Sequence, residues 1–107
     1  MPDVRINLTT TDGRSDWIRV GSANWVSLDV QPASGKTWAS AVAGLEYSLE
    51  VGTEGENPRT FDPTVTFTTS KKSRVNVPVR GKGNVRLATT TAEVANDEAA
   101  RVVYLLG

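Results

Sequence analysis

Hydrophobic and polar residues alternate with a period of two along most of the chain. Val4, Ile6 and Leu8 alternate with Arg5, Asn7 and Thr9. Val26, Leu28 and Val30 alternate with Trp25, Ser27 and Asp29, and Val65 and Phe67 alternate with Thr64, Thr66 and Thr68. Val75, Val77 and Val79 repeat the pattern around Asn76 and Pro78. Successive side chains of a strand point to opposite faces, so each run predicts a strand with one buried face. Further strands are expected over residues 17–20, from Val85 and Leu87 into Thr89, Thr90 and Thr91, and over residues 101–106. Turn signals separate them: Asp12-Gly13, Gly21, the cluster at residues 31–36, residues 70–73, and Gly81-Lys82-Gly83, which reads as a tight hairpin turn. Residues 52–60 form the longest polar loop. Residues 93–100 read equally as a loop or as a single helical turn. Pro63 lacks a backbone donor, so its strand starts late or lies at an edge.

Residues 38–50 carry the strongest signal and are expected to form a central strand. Leu45, Tyr47, Leu49 and Val51 share one face, and Glu46, Ser48 and Glu50 the other. Trp38 and Val42 are out of phase with that first set. A one-residue slip at Ala43-Gly44 would bring Trp38, Val42, Leu45, Tyr47 and Leu49 onto one core face, and glycine is a usual residue at such a bulge. The alanine-rich start could also be helical, but no cap-and-stop pattern frames it.

Seven or eight short strands, turn signals about every ten residues and no convincing helix predict an all-β fold, an antiparallel β-sandwich. A jelly roll or a small barrel is the alternative. The 107 residues suggest a single domain spanning 1–107. Aromatics make up only 7% of the chain, so the core rests on Val, Leu, Ile and Ala and is thin. Burial between subunits would add to it.

Composition then narrows the chemistry. The absence of cysteine removes disulfides and thiolate metal sites, and the absence of histidine removes the Ser-His-Asp triad and imidazole ligands. The formal net charge is zero, so neither nucleic acid nor an acidic membrane is an expected partner. No apolar run is long enough to span a membrane, and the start lacks a signal-peptide pattern, which reads as synthesis in a cytosol. Loop carboxylates at Asp12 and Asp16, Glu54 and Glu56, and Asp97 and Glu98 lack a calcium-ligand ladder and read as solvated charge. No catalytic, cofactor or metal residue is expected, and no enzymatic activity.

Candidate partner contacts come from three features. Lys71, Lys72, Arg74, Arg80, Lys82 and Arg86 crowd the second half and would form a positive patch if the hairpins they frame lie side by side. Trp25 shares its face with Ser27 and Asp29, so it is a candidate exposed anchor for a protein, or with Trp17 for a sugar. The last strand is apolar on both faces, Val102 and Tyr104 on one and Val103 and Leu105 on the other. One of those faces needs a cover from elsewhere in the chain or from another subunit. The expected partner-binding residues are therefore Trp25, Lys71, Lys72, Arg74, Val103 and Leu105.

The segment Trp38, Ala41, Val42, Leu45-Glu46-Tyr47-Ser48-Leu49-Glu50 and Gly52, with Phe61 later, resembles the small β-sandwich virion proteins of tailed bacteriophages. Val85-Arg86-Leu87 and Val102-Val103-Tyr104-Leu105 resemble that family's late and closing strands. The tight Asp-Gly-Gly turn of the family is replaced here by Glu50-Val51-Gly52 and a longer loop. The resemblance implies a non-enzymatic virion structural protein that decorates and cements a capsid, made in the host cytoplasm. It also implies a homotrimer bound to the major capsid protein or another virion protein, and no cofactor. A carbohydrate- or receptor-binding module of a tail or fibre is the alternative.

Overall fold

The computed structural model describes residues 2–32, 35–49, 58–68, 73–93 and 99–107. Eight strands are described: β1 (Asp3–Ile6), β2 (Ile18–Arg19), β3 (Trp25–Gln31), β4 (Val42–Ser48), β5 (Arg59–Thr66), β6 (Ser73–Pro78), β7 (Asn84–Thr91) and β8 (Ala100–Leu106). They form two four-stranded antiparallel sheets, β1-β8-β3-β6 and β2-β7-β4-β5. The expected antiparallel sandwich is therefore the fold. Its strand pairs nest, β4 with β5, β3 with β6, β2 with β7 and β1 with β8, which is the arrangement of a jelly roll.

The inward positions follow the sequence parity. Ile6, Val26, Leu28, Val30, Val77, Ala100 and Val102 from one sheet meet Ile18, Ala43, Leu45, Val65, Val85 and Leu87 from the other. Trp38, Leu8, Val20, Phe67 and Val79 close the ends of the core. Burying a branched aliphatic side chain contributes roughly 1.5–3 kcal/mol, so this aliphatic set replaces the aromatics the chain lacks.

Three expectations about the chain's course are corrected. The strand expected over residues 38–50 is shorter: Trp38 is buried but precedes β4, and Leu49 is 50% exposed beyond it. Its parity does not slip. Ala41, Ala43 and Leu45 face the core in unbroken alternation, with Tyr47 partly buried beside them, and Val42 faces out. The register shifts fall opposite Ala43, where β5 and β7 carry the extra residues. Bulges there spare β4, which keeps a neighbour on either side. Lastly, Gly81-Lys82-Gly83 is not a hairpin turn, because β6 and β7 lie in different sheets. Gly81 and Gly83 have φ of 79° and 74°, the left-handed region that L side chains avoid. A Cβ on Gly83 would also stand 2.7 Å from the Ser48 carbonyl oxygen, so glycine alone lets the chain change sheets here.

Beta2 is only two residues long, yet its edge is extended by Ser15. The Ser15 N–H donates to the Leu87 carbonyl at 3.0 Å, and the Leu87 N–H donates to Ser15 Oγ at 3.0 Å. The side chain of Glu93 is just 2% exposed and accepts from the Ala39 and Ser40 N–H groups at 2.6 and 2.8 Å. A buried carboxylate needs such donors, and here they fix the turn that leads into β4. The 94–98 part of the possible helical turn, the loop carboxylates Glu54, Glu56, Asp97 and Glu98, and the ends of the central stretch at Glu50 and Val51 lie outside the described residues.

Candidate functional site

Residues directly opposite each other on paired strands share a face, so the register lays out the exterior of the β1-β8-β3-β6 sheet row by row. At one end Pro78 of β6 stands beside Trp25 of β3. The next row holds Asn76, Ser27 and Leu105. Then follow Arg74, Asp29, Val103 and Asp3. The last row holds Gln31, Arg101 and Arg5. Four of the six expected partner residues, Trp25, Arg74, Val103 and Leu105, thus lie on one sheet face. Lys71 and Lys72 lie outside the described residues.

The face runs from apolar to charged. Trp25 is 40% exposed and Leu105 is 49% exposed. The Trp25 indole packs over Gly107, where a Cβ would overlap the ring. Reciprocal backbone hydrogen bonds of 3.2 and 3.0 Å between Trp25 and Gly107 fix that contact. Toward the other end, Arg101 Nε donates to Asp3 Oδ2 at 2.7 Å, and this bond holds the Asp3 carboxyl below its ordinary value. Gln31 Nε2 donates to Asp29 Oδ2 at 3.0 Å, and Arg74 Nη2 stands 3.9 Å from the same oxygen. Between the two ends lies a shallow groove of about 350 Å³ lined by Asp29, Arg74, Arg101, Val103 and Leu105. An exposed aromatic and leucine beside charged residues are the side-chain types that protein contacts use.

The expected positive patch does not form among the described residues. Because the chain changes sheets between β6 and β7, Arg74 sits on the outer face of one sheet and Arg86 on that of the other. Lys82 turns to the end of the sandwich, with Nζ 4.3 Å from the centre of the Tyr47 ring. Trp17 is no open platform, since the Arg86 guanidinium carbon lies 4.2 Å from its ring centre.

Sequence reasoning missed the cluster on the exterior of the β2-β7-β4-β5 sheet. Glu46 is outward by parity yet only 8% exposed. Its two oxygens meet Arg14 Nε at 2.9 Å and Arg86 Nη2 at 3.5 Å. Glu46 and Arg86 are direct partners in the register. A glutamate at an outward strand position gives no sign of burial until its cross-strand neighbours are known.

Among the described residues no group of three acidic side chains could hold a metal ion. No protein-family model, curated protein or solved structure matches the chain.

Proposed function

We propose that this protein is a non-enzymatic virion structural protein of the capsid-decoration type. It docks on the outer surface of a larger protein shell through the exterior of the β1-β8-β3-β6 sheet. The observation that carries the reading is the convergence of exposed Trp25 and Leu105 with Arg74 on one sheet face, around a Val103 that its neighbours already cover to 8% exposure. Tryptophan anchors dominate protein contacts when buried, and a charged margin sets orientation.

The edges of the sandwich favour a face over a strand as the point of contact. Beta1 has four residues and follows Pro2, β6 ends at Pro78, β2 has two residues and β5 contains Pro63. Short strands and prolines hinder the addition of a further strand. The family resemblance supplies the capsid and the trimer, in which the second apolar face of β8 finds its cover.

Sedimentation of the purified chain, alone and mixed with empty capsids, is the test. The wild-type chain is expected to sediment as an oligomer of its 11.5 kDa unit and to travel with capsids. Trp25→Ser with Leu105→Glu is expected to remove capsid binding. A stable wild-type monomer without capsid affinity would overturn the reading.

A further inference from the structure

We infer that the exterior of the β2-β7-β4-β5 sheet carries a separate binding site, a shallow groove that takes a neutral saccharide. It lies on the opposite side of the sandwich from Trp25 and does not depend on the docking proposed above.

The groove exists because two neighbouring outward positions lack a large side chain. Gly44 of β4 and Ala88 of β7 are direct register partners. Around them lies a depression of about 350 Å³, within the lower range of small-molecule clefts. Gly44 is not required by the backbone, because its φ lies outside the left-handed region. Nor is it required by crowding, since a Cβ there would meet nothing within 4 Å. Its effect is to keep the floor open.

The wall is built and held. Arg14 Nε donates to Glu46 Oε1 at 2.9 Å and Nη1 donates to the Asp12 carbonyl at 3.1 Å. Arg86, stacked on Trp17, approaches the other oxygen of Glu46. Glu46 therefore acts as a positioning residue. It fixes the plane of the Arg14 guanidinium, whose side chain remains 41% exposed at the groove.

The charges select the ligand class. Arg86, outside the groove, meets Glu46 from the far side, which leaves Arg14 and Asp12 as a balanced pair of charges at the groove, so the site favours neither an anion nor a cation. It offers guanidinium donors, the exposed carboxylate of Asp12, the hydroxyl of Thr60, and Thr90 Oγ1 as an acceptor, since its proton goes to the Val42 carbonyl. A pair of adjacent sugar hydroxyls can donate to a carboxylate and accept from a guanidinium at once. The Gly44–Ala88 floor suits the C–H face of a sugar ring. No aromatic side chain lines the groove, which argues against a nucleobase. No large exposed apolar residue lines it either, which argues against a protein anchor.

The test is a glycan array probed with the labelled wild-type chain, followed by titration of the retained oligosaccharide. A neutral saccharide is expected to bind, and Gly44→Phe to abolish binding by filling the floor while the melting temperature holds. Thr60→Val, which removes one hydroxyl and keeps a β-branched strand residue, is expected to weaken binding about threefold to tenfold. It decides the matter should Gly44→Phe disturb folding. Trp25→Ser is expected to leave saccharide binding intact, which separates this site from the docking face. Failure to retain any neutral saccharide, retention of acidic glycans alone, or binding that survives both groove variants would overturn the inference.

Discussion

The two exteriors of the sandwich have the same number of strands, all paired antiparallel, but they use their outward positions differently. On the β2-β7-β4-β5 sheet, Arg14 and Arg86 both meet Glu46 and Arg86 is covered by Trp17, although Arg86 Nε is buried without a hydrogen-bond partner. On the β1-β8-β3-β6 sheet, the ion pairs stand at one end, and Trp25 and Leu105 face outward at the other. That cluster on the first exterior finds its partners within the chain. The second presents apolar area that association would bury. Substitutions within the Arg14–Glu46–Arg86 cluster should therefore be read in folding, and substitutions of Trp25 and Leu105 in binding.

The largest effect expected from this contrast is on the Arg14–Glu46–Arg86 cluster. Glu46→Leu leaves the mostly buried Arg86 guanidinium without its carboxylate. Breaking a buried pair from one side costs about 3 kcal/mol or more, so the urea midpoint should fall markedly while the proposed docking through Trp25 and Leu105 is unaffected in the folded fraction. A midpoint close to wild type would erase the distinction between the two exteriors. A smaller effect is expected on the other side. Trp25→Ser combined with Leu105→Ser should change unfolding free energy by no more than about 1 kcal/mol, because both side chains are already substantially exposed. The association state should change instead. A loss of stability well beyond that would mean that these residues support the fold and are not held in reserve for a partner.

The smallest effect concerns Asp3. Its carboxyl is held below the ordinary value of 3.8 by the Arg101 hydrogen bond. A lowered folded-state pKa contributes stability that is fully present above the unfolded value and lost as pH falls through the folded one. Asp3→Asn should therefore melt slightly below wild type at neutral pH, and the difference should close in acid, below about pH 4. Melting curves of both chains from neutral to acidic pH check this. A gap that widened in acid would reverse the assigned role of the Arg101 contact.

The strands were legible because parity is a local property. Val26, Leu28 and Val30, or Val65 and Phe67, announce their buried face without knowledge of any neighbour. Parity also marked Trp25, Val103 and Leu105 as outward. What it could not give was their meeting, which depends on β3 lying between β8 and β6. The same limit explains the supposed slip at Ala43-Gly44. Alanine and glycine carry little hydrophobic signal, and the irregularities lie on β5 and β7, whose pairing to β4 is not written in β4 itself. Glu46 and Glu93 escaped notice for a related reason. Their burial depends on donors 32 to 54 residues away in the chain.

The nested pairing has a consequence for how the molecule is made. Beta8 lies between β1 and β3, so an interior position of one sheet is filled by a strand that comes after the other seven described strands. During synthesis β2, β7, β4 and β5 are complete once residue 91 has left the ribosome, and they can pair while β8 is still missing. At that stage β1 has no partner in its own sheet, and β3 lacks one of its two neighbours. The inner face of the finished sheet, with Leu45, Val85 and Leu87, then lacks its full cover. The nascent chain passes through an interval in which half a sandwich shows its apolar side to the cell, and partly folded sheets of this kind are where aggregation begins. Emergence of the seven residues of β8 closes that interval.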